Sequence, residues 1–337
     1  MTMKIGVQLN PQVSIDKPAA ALMPTLIAQV RVADQSGFQA FSMGEHYNIP
    51  GLQRVHQIPA LARLCAEVKH SEVGTAVMLL ALRHPVTVAN ELATLDVINN
   101  GRSFAAFGLG YRDDELNAFD LTKPQRFRRF VEGIEIIKKL WTEDHVNFVG
   151  KEFQIKDVTV DPKTLQKPRP PIWIAANSDA AVERAAKVGD DWIIGPHSAI
   201  EELERQANLF RKAWAAAGKT GAPRLPIIRE TFVAKTRREA VEKARPCLEQ
   251  LYRSIYIKWK QNEAMSDPSE LSWAFDRLAK NRFIIGSPEE CIDQIAEYRE
   301  RLGVGYMLPR FDWTPGLGQE DILVSMRLFG EKVIQKI

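Results

Sequence analysis

The chain has 337 residues, 45 of them Lys or Arg and 42 Asp or Glu, so its net charge is +3; 45% of the residues are apolar and 26% charged. This composition supports a large buried core and excludes intrinsic disorder, a collagen-like repeat and a small disulfide scaffold. Charge so evenly balanced leaves no footprint for nucleic acid or an anionic membrane surface, and neither is expected as a partner.

Elements are taken in chain order. Short apolar, β-rich runs occur at Ile5–Leu9, Ala40–Met43, Val73–Leu79, Ser103–Phe107, Ile172–Ala175, Trp192–Ile194, Ile227–Val233 and Tyr306–Arg310. Between them lie stretches of helical period, such as Leu22, Leu26, Val30 and Ala33, or Phe130, Ile134, Ile137 and Leu140, with charge on the opposite face. Helix starts are signalled by Ser198 with Glu201, Thr236 with Glu239, and Ser287-Pro288 with Glu290. Strand and helix alternating eight times predict an α/β fold, a parallel (β/α)8 TIM barrel spanning residues 1–337 as one domain. An open doubly wound sheet is the alternative.

Two segments exceed a minimal barrel. Residues 145–160 alternate about Gly150 and predict an inserted β-hairpin. Residues 244–283 carry Tyr252, Tyr256, Trp259, Trp273, Phe275 and Phe283 after the seventh strand; they read either as a lid over the C-terminal strand ends or as core packing of extra helices.

Cys65, Cys247 and Cys291 are odd in number, far apart, and belong to no C-x-x-C or Cys/His cluster. A disulfide framework is not expected, and neither is a metal site, because the six histidines form no ligand spacing. The longest apolar run, Val73 to Leu82, is about ten residues, well short of the roughly 20 that cross a bilayer. Met3–Leu9 alternates into polar residues rather than forming a signal-peptide core. These features predict a cytoplasmic protein.

In a barrel the chemistry lies at the C-terminal strand ends. There the sequence places Gln8 and Asn10, then Glu45-His46, Gly108-Leu109-Gly110-Tyr111-Arg112, Asn177-Ser178 and Gly195-Pro196-His197. His46 is either a proton carrier or a structural histidine, and the adjacent Glu45 points the other way on an extended chain. Arg112 is either a phosphate partner or an arginine paired with Asp113, Asp114 or Glu115. Ser178 read alone is an N-cap.

The same segments, in the same order, resemble the bacterial luciferase-like monooxygenase superfamily along essentially the whole chain. The resemblance rests on Gly44-Glu45-His46-Tyr47, Gly74-Thr-Ala-Val77, Arg83-His84-Pro85, Asn100-Gly-Arg102, Gly108-Leu-Gly110-Tyr-Arg-Asp-Asp-Glu115, Pro170-Pro-Ile-Trp173 and Gly189-Asp-Asp-Trp192. It implies a TIM barrel, usually a homodimer, with reduced FMN delivered by a separate flavin reductase and used with O2 on a small apolar or carbonyl-bearing molecule. By position it implies His46 and Glu45 as catalytic residues. It places Thr75, Ala76, Gly108, Gly110, Tyr111, Arg112, Asn177 and Ser178 at the flavin, and Tyr47, Leu80, Phe107 and Trp192, with Leu79, around the substrate.

Luciferase itself has a phosphate-binding arginine where Leu109 stands, a second histidine at Tyr47 and an acid at Asn177, so luminescence is not implied. The superfamily also contains deazaflavin-dependent dehydrogenases and non-catalytic flavin-binding proteins. The first need a basic channel, for which Arg54 is the one cation near Tyr47–His56. The apolar Ile58, Leu61, Leu64, Val86 and Leu92 form the candidate dimer face.

Overall fold

A computed structural model of the protein describes residues 3–313 and 316–337. Nine strands build one sheet: β1 (Lys4–Leu9), β2 (Ala40–Met43), β3 (Glu72–Leu79), β4 (Ser103–Gly108), β5 (Ile172–Ala175), β6 (Asp191–Ile193), β7 (Ile227–Val233), β8 (Ile284–Gly286) and β9 (Tyr306–Arg310). Their order is β6-β5-β4-β3-β2-β1-β9-β7-β8, with every pairing parallel. The sheet curls until its far strands meet. Ile194, just beyond β6, pairs with Ile227 of β7, its N–H donating to the Pro226 carbonyl at 2.7 Å and its carbonyl accepting from Ile228 at 2.9 Å. β8 is an addition to the predicted eight, attached to the C-terminal half of β7 from Thr231 to Val233.

Side chains alternate across each strand. On β4, Phe104 and Ala106 face the interior of the curled sheet, where Trp173, Tyr306 and Leu308 join them. Phe104 stacks on Trp173 at 4.2 Å between ring centroids, with Tyr306 edge-on to both. This aromatic floor fills the N-terminal half of the interior and leaves the C-terminal half open. Ala105 and Phe107, one residue out of phase, pack under the outer helices.

Helix punctuation follows the sequence at two of the three predicted starts. Ser287 and Glu290 cap each other's backbone with Pro288 in the first turn, and the Thr236 hydroxyl accepts from the Glu239 N–H. Ser198 caps nothing, because that helix begins at Ile200 behind Ala199. Residues Val146–Val149 and Gln154–Val158 form an antiparallel pair whose turn is held by the Glu132 carboxylate, which accepts the N–H groups of Lys151, Glu152 and Phe153. From Leu251 to Ala279 the chain runs through a π-helical turn, short 3-10 turns and one short helix. Tyr252, Leu271, Phe275 and Phe283 there build a small core against Phe232 and Trp313.

The candidate dimer face is corrected by the structure. Leu61, Leu64 and Leu92 are at most 3% exposed, because the helices Gln57–Cys65 and Pro85–Ile98 pack against each other and the sheet; Ile58 and Val86 are half-buried beside them. Their apolar character is explained within one chain. No helix among the described residues is long and apolar enough to cross a membrane.

Candidate functional site

A cavity of about 540 Å3 opens at the C-terminal ends of the strands. Its base is an irregular stretch of β3, where the pairing with β4 shifts register between Thr75 and Met78 and the Ala76–Val77 peptide is cis. Thr75 is fully buried and does not line the cavity: its hydroxyl donates to the Ala106 carbonyl at 2.9 Å and accepts from the Ala106 N–H at 2.8 Å. It bridges the gap the shift leaves in the ladder. The Ala76 carbonyl accepts from the Gln8 amide at 2.6 Å, and Ala76 itself faces the cavity. Gly108 sits opposite, where a Cβ would fall 2.6 Å from Val77 Cγ2. Only a glycine leaves this wall flat enough for a ligand to approach. Gly110 follows at φ +79°, a left-handed turn that brings Tyr111 to the cavity mouth.

His46 faces the cavity with Tyr111 edge-on at 5.8 Å and Trp259 at 5.1 Å. Its Nδ1 meets Glu115 Oε1 at 2.9 Å, which leaves Nε2 for a ligand. Burial lowers its pKa below the ordinary histidine value, and the Glu115 carboxylate opposes that shift. Glu45 also borders the cavity but is 5% exposed, its carboxylate accepting from Arg83 at 2.7 Å, from the Tyr47 hydroxyl at 2.8 Å and from the Leu79 N–H at 2.9 Å. It is built to hold the loop after β2 against β3.

Five expectations are corrected. Arg112 does not line the cavity; its guanidinium donates to the carbonyls of Tyr47 and Asn48 at 2.8 and 2.9 Å and stacks on Trp259. Tyr47 turns outward to Glu45 and Phe119. Leu80, Phe107 and Trp192 lie in the layer between sheet and helices, the last donating its indole N–H to the Ala176 carbonyl. Strand alternation is the reason: Gly108 faces in, so Phe107 faces out, and Ile193 faces in, so Trp192 faces out.

At the β5 end, Asn177 and Ser178 precede the helix Asp179–Val188, and Ser178 makes no side-chain cap bond. Arg126 and Arg184 reach the same end of the cavity, each with a buried Nε that has no hydrogen-bond partner. Arg126 donates to the Gly110 carbonyl, Arg184 lies over the Phe127 ring, and Lys123 completes the group. Lys123 is paired with Asp113 at 3.2 Å, whereas Arg126 and Arg184 form no ion pair among the described residues; with the helix N-terminus and the Asn177 and Ser178 side chains they make this end of the cavity suited to an anion.

A profile of the family described as luciferase-like monooxygenase matches residues 3–305. The chain belongs to this family. A flavin-dependent trigonelline monooxygenase, oxygenase component, of Acinetobacter baylyi is 27% identical over 305 residues, covering 85% of this chain and 83% of that one. An F420-dependent glucose-6-phosphate dehydrogenase of Microbacterium testaceum is 27% identical over 323 residues, 91% of each chain. Among solved structures, the monooxygenase RslO1 from Streptomyces bottropensis superposes with a TM-score of 0.85 at 26% identity over 99% of both chains.

This member of the luciferase-like family also takes parts of its site from residues that carry no motif signal. Glu115 stood in an acidic run, and Arg126 and Arg184 stood among the charges of two amphipathic helices, where no local signal separates a cavity arginine from a solvated one. His197 was visible as a strand-end residue. It lines the cavity, and burial together with Arg310, Arg229 and Arg282 lowers it to about 3, so at neutral pH it is an uncharged hydrogen-bonding group.

Proposed function

We propose that the protein is the oxygenase component of a two-component monooxygenase that takes reduced FMN from a separate reductase and uses O2 on a small organic substrate. The curled sheet is then a (β/α)8 barrel with β8 appended. The observation that carries this reading is the anion site of Asn177, Ser178, Arg126 and Arg184. Two orphaned guanidinium nitrogens there suit a compact phosphate monoester.

The residues fit the cofactor. Asn177, Ser178, Arg126 and Arg184 would hold its phosphate, and the flat wall of Ala76 and Gly108 would receive its ring. When bound and reduced, FMN supplies the electrons that activate O2. The chain's own part is to bind, orient and exclude water. Leu79, Val77, Ile193 and Ile228 make the deep walls apolar, and Leu251, Ile255, Tyr256 and Trp259 cover them from the 244–283 segment. His46, oriented by Glu115, holds or accepts a proton at Nε2.

The test is anaerobic titration with reduced FMN, followed by aeration and absorbance against free flavin. Binding with an altered reoxidation rate is expected. Unaltered reoxidation of bound FMN would leave a flavin carrier, and tight binding of the deazaflavin coenzyme with weak FMN binding would assign hydride transfer instead.

A further inference from the structure

The cavity carries cations without a direct ion pair, among the described residues, at two separate places. Four arginines line it: Arg54, Arg126, Arg184 and Arg310. Arg126 and Arg184 sit at the β5 end. Arg54 sits on the other side, on the short strand Leu52–Arg54 that pairs with Gln12–Ser14 just beyond β1, four strands from β5 in the sheet.

The carboxylates around Arg54 contact other arginines directly, and Glu45 and Glu115 act on Arg54 only through space. Glu45 pairs with Arg83 at 2.7 Å, Glu115 lies 3.4 Å from Arg112, and Glu230 pairs with Arg310. Asp312, in the same wall, is held by the side chains of Gln29 and Asn10. Arg54 itself donates to the Gln12 amide oxygen and the Gly44 carbonyl, both at 2.6 Å, and forms no ion pair among the described residues. Neutral acceptors position a guanidinium without cancelling its charge. Burial lowers Arg54 to about 10, which still leaves it charged at neutral pH. The wall beside it is aromatic, made of Tyr111, Tyr256, Trp259 and Trp313.

We infer that the substrate is a small organic acid with a flat apolar body, and that Arg54 is the specificity-determining residue that anchors its carboxylate. This deepens the proposed oxygenase reading and rests on it only for the word substrate. Arg54 and His46 line the same cavity, and the Arg54 charge is one of those that depress that histidine.

Benzoate and its uncharged isostere benzamide are the probes, titrated calorimetrically into the full chain as wild type, Arg54→Met, Arg54→Lys and Arg184→Met. Benzoate is expected to bind at least about tenfold more tightly than benzamide to wild type, the worth of one charge-assisted contact. That preference should vanish in Arg54→Met, return in part in Arg54→Lys, and persist in Arg184→Met. Benzoate should also raise the His46 titration in wild type and not in Arg54→Met. Equal binding of the two probes, or a preference that survives Arg54→Met, overturns the assignment. Titrating FMN into the same proteins separates the two readings: a chain that ignores FMN but selects benzoate through Arg54 loses the flavin proposal and keeps this one.

Discussion

The imidazole of His46 is oriented by Glu115 and not by its neighbour Glu45: Nδ1 lies 2.9 Å from Glu115 Oε1, which also accepts the Tyr47 N–H at 2.8 Å. Consecutive side chains on an extended segment diverge. Glu45 therefore goes to Arg83 while His46 turns into the cavity, and the loop after β4 brings Glu115 up from the helix Asp113–Ala118. The pairing selects the tautomer with the proton on Nδ1 and a lone pair on Nε2.

Replacing Glu115→Gln removes the charge that opposes burial of His46 while keeping an acceptor for the Tyr47 N–H. The His46 pKa, already below the ordinary value, should fall further, which an NMR histidine titration reads directly. A His46 titration indifferent to this change would show that Glu115 does not control its proton.

Thr75 predicts a stability effect without a direct ligand contact. Thr75→Val keeps the shape but orphans both backbone groups of Ala106, and should cost about 1–3 kcal/mol in urea unfolding. Thr75→Ser keeps the hydroxyl and should recover most of that loss. Equal behaviour of Val and Ser would mean that the bridge contributes nothing.

The strands and most helices were legible because hydrophobic period is a local signal. Each predicted strand appears within a residue or two, and the short Ile284–Gly286 strand is too brief, at three residues, to carry a period. Position along a strand proved easier to read than the direction of a side chain. Leu80, Phe107 and Trp192 were assigned to the cavity for lying near strand ends and being apolar, whereas period-two alternation from Gly108 and Ile193 sends Phe107 and Trp192 outward. Arg112 was the visible arginine in a motif, but Arg126 and Arg184 occupy the anion end, on helices whose cavity-facing residues depend on tertiary packing.

His197 makes a pH prediction. Its folded pKa of about 3 lies below the 6.5 of an unfolded histidine, so below pH 6.5 the unfolded chain binds the extra proton and the folded state loses stability. The full slope is about 1.4 kcal/mol per pH unit. Asp191 and Asp312, raised to about 6 by burial, act in the opposite sense as pH falls from about 6 toward 4. His197→Gln removes only the first effect, so the stability gap between wild type and variant should shift by about 2 kcal/mol in the variant's favour from pH 7 to pH 5. A gap constant across that interval would mean that His197 is protonated in the fold.

The anion end makes the sharpest prediction for ligand choice. FMN and riboflavin share the ring and differ by the phosphate, so their affinity ratio isolates what Asn177, Ser178, Arg126 and Arg184 do. Arg184 is stacked on Phe127 with no ion pair among the described residues, and its buried Nε lacks a partner, so Arg184→Met removes a charge without stranding a carboxylate. FMN should lose about tenfold or more in affinity, the worth of a charge-assisted contact, while riboflavin binding stays nearly constant. Arg112→Met is the control, since Arg112 is committed to the Tyr47 and Asn48 carbonyls. It should lower thermal stability and leave the FMN to riboflavin ratio where it was. If Arg112→Met collapses the ratio and Arg184→Met does not, the phosphate is held from the loop after β4, as the family resemblance implied.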